Sequence, residues 1–196
     1  MNMTRSALAA LLLAVVVPAQ AGGQPPANKV EYDKLVAEWT AATKAASEAQ
    51  KAMVASEVYK AAAAAKDTAK LNELRGAVKR PDQKAFGARA ISLADQFAGD
   101  DGLPFLTFAS ANLFDETTIK AVVDRLLKNH VKSAGITEIL ESAASLQRFA
   151  GKEQADTLLA RVIAENPNPE SKAWAIYWQA LKIFLKKVPV FTHPNP

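Results

Sequence analysis

The chain has 196 residues, 24 Lys and Arg against 20 Asp and Glu, a formal charge of +4, two His and no Cys. Alanine fills 40 positions, which swells the 49% apolar content. These figures exclude a disulfide framework, a thiolate metal site, a cysteine nucleophile and a His-rich metal centre, and the apolar content is too high for a disordered chain. An Ala-rich, all-α protein is the class that remains.

Residues Met1 to Ala21 read as a processing signal. Arg5 supplies a positive start. Ala7 to Val17 is an uncharged apolar run, too short for the roughly 20 residues that a bilayer span needs. Pro18 breaks the run, and Ala19-Gln20-Ala21 is an A-x-A cleavage site. The expected mature chain starts at Gly22, and the expected location is periplasmic or extracellular in a bacterium. No later segment is long and apolar enough to span a membrane, so no stable span is expected after cleavage.

Residues 22–27 (GGQPPA) form a short linker, and residues 28–80 a long Ala-rich helical segment. From Ala27 to Arg75 there is no Pro and no Gly, and 15 of those 49 residues are Ala, the strongest helix former. Leu35, Trp39, Ala42, Ala46, Ala49 and Met53 follow a 4-3-4-3-4 spacing, which draws one narrow apolar seam. That seam packs on the chain's own domain or pairs with a second copy; a floppy helical spacer is the third reading of the stretch.

Residues 81–187 read as a helical-repeat domain. Arg80-Pro81-Asp82 is a break, after which Phe86, Ala90, Leu93 and Phe97 share a helical face. Gly99-Asp100-Asp101-Gly102 ends that helix, and Asp100-Asp101 read as turn and cap residues. Leu103, Leu106 and Leu113 then mark a short helix, to which Phe105, Phe108 and Phe114 add bulk. Helix starts fall at Asp115, Ser133, Gly151 and Pro169, each 18 residues after the last. Ile119, Val122, Val123, Leu126 and Leu127 align at an offset of 36 with Ala155, Leu158, Leu159, Val162 and Ile163. Ile136, Ile139, Leu140 and Ala143 align at 38 with Trp174, Tyr177, Trp178 and Leu181. A two-helix period of this length points to a tetratricopeptide-like α-solenoid, with an irregular helical bundle as the alternative. The fixed Trp, Gly, Tyr and Pro of the tetratricopeptide consensus are absent. Residues 188–196 form a Pro-rich tail.

Several pieces of this domain carry a family likeness: the Phe86-to-Phe97 helix, DRLLKNHVKS, ADTLLARVIAENPNPE and AWAIYWQALKIF. On them, residues from about Arg80 to Leu185 resemble the helical region that precedes the thioredoxin-like domain of some exported bacterial redoxins. In that family a Cys-x-x-Cys of the later domain carries the redox chemistry. With no Cys here, no catalytic residue carries over, and the resemblance implies the helical module alone, truncated or independent.

The sequence names no catalytic, cofactor-binding or metal-binding residue. Glycine-rich phosphate loops, nucleophile elbows and zinc-binding His pairs are missing. His130 reads as a cation at a helix C-terminus, where it complements the dipole. Glu138 and Glu141 fall on a wet face. Basic and acidic residues interleave, so no nucleic-acid stripe forms. On the final helix Trp174, Trp178, Leu181 and Leu185 read as a core stripe, with Lys172, Gln179, Lys182 and Lys186 on the outward side. Trp174, Tyr177 and Trp178 are the candidate partner-binding residues, since a solenoid's last helix has a neighbour on one side only. The expected function is a non-catalytic, exported helical-repeat module that binds a protein partner and needs no cofactor. One alternative is a truncated or split relative of an exported thioredoxin-like oxidoreductase. The other is a coiled-coil structural protein of the cell envelope, self-associating through the Leu35-to-Met53 seam.

Overall fold

The computed structural model describes residues 26–97, 99–141 and 152–187. The leader, most of the linker, the Pro-rich tail, and Ala143 and Gly151 of the repeat reading lie outside the described residues. Within them every regular element is helical: α1 (Ala27–Ala55), α2 (Glu57–Ala64), α3 (Thr68–Ala77), α4 (Gln83–Gln96), a 3₁₀ turn (Gly99–Gly102), α5 (Leu103–Asn112), α6 (Glu116–Arg125) running into a π turn (Leu126–His130), α7 (Ile136–Glu141), α8 (Lys152–Glu165) and α9 (Pro169–Lys187). None of these helices is long and apolar enough to cross a membrane.

The Ala-rich stretch expected as one long helix opens with a 29-residue helix and then divides twice. At Ser56 the backbone turns extended (ψ 146°), and the Ser56 hydroxyl accepts the Tyr59 N–H at 3.2 Å. Serine thus ends α1 and caps α2, the competition with the backbone that lowers its helix propensity. At Lys66 the chain takes φ +55°. There Lys66 N–H bonds Ala63 C=O and Asp67 N–H bonds Ala62 C=O, a Schellman ending without the usual glycine. Asp67, Asp82 and Asp115 then cap α3, α4 and α6, each accepting the N–H three residues on at 2.9–3.0 Å.

From α4 onward the helices stack in two rows. α4 packs on α6 and α6 on α8; α5 packs on α7 and α7 on α9. This is a helical-repeat arrangement, and residue equivalences follow it. Phe86, Ile119 and Ala155 correspond, as do Leu93, Leu126 and Val162, and Phe97, His130 and Asn166, at steps of 33 and then 36 residues. The aligned sets at offset 36 match in burial: Ile119, Val122, Val123 and Leu126 are buried like Ala155, Leu158, Leu159 and Val162, and Leu127 and Ile163 are both partly buried. α5 is apolar all round and sits at the centre, against α1, α4, α6 and α7.

α1 lies along α4 and α5. Leu35 is wholly buried, Tyr32 meets Phe105 edge-on at 5.9 Å, and Trp39 stands edge-on to Phe86 and Phe108 at 5.1 and 6.0 Å. The seam's first two residues are therefore engaged with the chain's own core. Ala42, Ala46 and Met53 are half-buried and Ala49 is exposed. Ion pairs brace the rows: Arg89 with Glu38 of α1, and Arg125 with Asp95 through two bonds of 2.8 and 2.7 Å. The Arg125 guanidinium holds the Asp95 carboxyl below its usual range.

Candidate functional site

The start of α9 is fixed by side-chain to backbone bonds that the run Asn166-Pro167-Asn168-Pro169 makes possible. The Asn166 amide donates to Val131 C=O at 2.6 Å and Ser133 C=O at 3.0 Å, and its oxygen accepts Asn168 N–H at 2.8 Å. The Asn168 side chain accepts Glu170 N–H at 2.9 Å, and Pro169 occupies the first helical position, where its missing N–H costs nothing.

Along α9 the face turned inward is built from small residues. Ser171 and Ala175 are wholly buried. The Ser171 and Thr137 hydroxyls are 2.7 Å apart, and Trp178 Nε1 donates to Leu140 C=O at 2.6 Å. Trp174 and Trp178 are half-buried against the core. The register of burial between α7 and α9 is thus 35 residues, matching Ile136 with Ser171 and Leu140 with Ala175, rather than the expected 38. Tyr177, 51% exposed, joins the two indoles edge-on, 5.7 Å from Trp174 and 5.4 Å from Trp178. The three candidate residues therefore form one aromatic cluster, of which two members anchor α9 and the third faces out.

The outward side of α9 differs from the expected lysine face. Lys182 turns toward α8 and pairs with Asp156. Lys172 and Gln179 are half-buried. The side chains of Leu185 and Lys186 lie outside the described residues. Among the described side chains beyond Glu170, what faces out is apolar: Ile176 is 53% exposed, Ile183 57% and Phe184 63%, with Ala173 and Ala180 between them. Sequence reasoning missed Ile176, Ile183 and Phe184. Their signal was the seven-residue spacing of Ile176 with Ile183 and of Tyr177 with Phe184. An open hollow of about 450 Å³ lies on this side, lined by Glu170, Ala173, Trp174 and Tyr177. A second, of about 460 Å³, lies where Ala42, Ala45 and Ala49 of α1 stand off from Phe86 and the 79–82 connection.

Titratable groups are scattered. No cluster of three or more His, Cys, Asp or Glu side chains suited to a metal occurs among the described residues. Asp100 and Asp101 act as ties from the 3₁₀ turn: Asp101 accepts the Asn28 amide at 3.0 Å, and Asp100 accepts the Ser133 hydroxyl. Glu138 and Glu141 are exposed. His130 is 4% exposed, and its Nδ1, 3.8 Å from an Asp100 oxygen, makes no hydrogen bond. Burial pushes its imidazole below the ordinary 6.5, outweighing the opposing pull of Asp100. It is a neutral core residue in the position that Phe97 and Asn166 take in the neighbouring repeats, not the expected helix-end cation.

Compared with protein-family models, with curated proteins and with solved structures, the chain matches none. Nothing in these comparisons bears on the resemblance to the helical region of exported redoxins.

Proposed function

We propose that the chain is an exported, non-catalytic helical-repeat module that holds a protein partner against the outward face of α9. One observation carries the reading: Ile176, Tyr177, Ile183 and Phe184, each more than half exposed, stand on the outward side of a single helix. Scattered exposed apolar residues are ordinary, but a contiguous patch marks an interaction surface, and aromatic side chains contribute most of the energy at such surfaces. The inward bonds of Asn166, Ser171 and Trp178 support it further, because they fix the helix so that the patch is presented on a rigid element. Export rests on the leader, Met1 to Ala21.

The test is site-specific photocrosslinking in the producing cell, with p-benzoylphenylalanine in place of Tyr177 and, as control, in place of the exposed Glu138. The expected result is a protein adduct at 177, identified by mass spectrometry, absent at 138 and lost when Ile183→Glu is added. An adduct-free position 177 overturns the reading. N-terminal sequencing of the accumulated protein tests export: the expected first residue is Gly22, and a retained Met1 removes that part.

A further inference from the structure

We propose that the occupant of this face is a second copy of the chain, its α9 lying antiparallel on the first. This rests on the reading of α9 as an interaction surface and names the partner. Glu170, Ala173, Tyr177, Ala180, Phe184 and Lys187 follow one another at spacings of 3, 4, 3, 4 and 3. That is the two-position heptad of a coiled-coil seam. The first five are exposed, so the row is available from Glu170 to Phe184.

The row is complementary to itself when reversed. With the two-fold axis between positions 178 and 179, Ala173 of one copy stands level with Phe184 of the other, and Tyr177 with Ala180. Each aromatic ring of the row meets an alanine. A parallel pairing would set Glu170 against Glu170, Tyr177 against Tyr177 and Phe184 against Phe184. Like charges and crowded rings both disfavour it. The hollow of about 450 Å³ lies around Ala173, where the antiparallel register delivers the second copy's Phe184. Ile176 and Ile183, both exposed, lie on one flank, where the same symmetry brings them against each other's copies. A two-fold interface of this kind uses one patch twice and closes on itself, so it stops at a dimer.

α9 has 19 residues, a length of about 28 Å. A single pair of such helices sits at the low end of stable interfaces, roughly 1,200 Å² of total buried surface or less, so the dimer is expected to dissociate on dilution.

Light scattering coupled to gel filtration, on the chain beginning at Gly22, tests the proposal over about 1 to 200 µM, where contacts of this size associate. The expected mass moves from one chain to two as concentration rises. Phe184→Glu, at an exposed position, and Ala173→Gln, which fills the hollow, each weaken association at least tenfold while the circular dichroism spectrum stays unchanged. Because the chain has no cysteine, the register is read directly. Ala173→Cys chains mixed with Phe184→Cys chains are expected to form the mixed disulfide dimer several-fold faster than either variant forms its own. A wild-type chain that stays monomeric at 200 µM overturns the proposal, as does a dimer indifferent to both α9 substitutions. Either result, together with a Tyr177 adduct to a different protein, leaves the broader reading of the surface standing.

Discussion

Gly87 is where α4 and α6 touch. A Cβ built there would lie 2.1 Å from Thr118 Oγ1 and 3.1 Å from Thr118 Cβ, and Thr118 is held by donating its hydroxyl to Asp115 at 2.9 Å. Alanine is worth about 1 kcal/mol more than glycine in a free helix, but overpacking a crossing costs about 1–3 kcal/mol. Gly87→Ala is therefore expected to lower stability in urea unfolding, and adding Thr118→Ala to recover most of the loss. His130 gives a pH signature. Burial lowers its folded-state pKa, so the unfolded chain binds the proton more tightly. Its contribution to stability is complete above the unfolded value near 6.5 and is lost as pH falls from there toward the lower folded value. Thermal unfolding between about pH 7.5 and 5.5 is expected to show a slope in the wild type that His130→Gln flattens; an identical slope in both assigns it to other groups.

At the scale of elements, the α2–α3 junction and α9 make separate predictions. Lys66 holds φ +55° in solvent, a conformation that costs an L-residue about 1–2 kcal/mol. Against glycine's extra unfolded-state entropy of about 0.5–1 kcal/mol, Lys66→Gly is expected to stabilise the chain by about 0.5–1 kcal/mol. On α9 the two sides separate under mutation. Trp178→Phe removes the bond to Leu140 C=O and is expected to cost about 0.5–1.5 kcal/mol. Ile183→Ser and Phe184→Ser, on the exposed side, are expected to change the unfolding free energy of dilute protein by no more than about 0.5 kcal/mol. Equal losses on both sides would mean that the outward residues are packed within the chain.

Across the whole molecule, the row of first helices was the most legible part. Ile119, Val122, Leu158 and Val162 are large, apolar and spaced at three and four, and aspartates cap α4 and α6, so periodicity and capping agreed. The second row was harder to read. α9 docks through Ser171 and Ala175, whose burial leaves no mark in hydropathy, so the eye assigns the aromatics to the core and the lysines to solvent. Lys182 instead spans to Asp156, and Ile183 and Phe184 are left outside. The divisions at Ser56 and Lys66 were hidden because propensity favours helix throughout; one hydroxyl and one left-handed residue decide them locally. The aromatic cluster itself was legible from its i, i+3, i+4 spacing, although only Tyr177 of the three reaches out. The central claim is that a fixed helix turns an apolar row outward. Carbene footprinting of dilute, monomeric protein tests it most directly: Ile183 and Phe184 are expected to label heavily and Phe105 and Leu106 barely at all, whereas labelling of Phe184 as low as that of Phe105 would contradict the account.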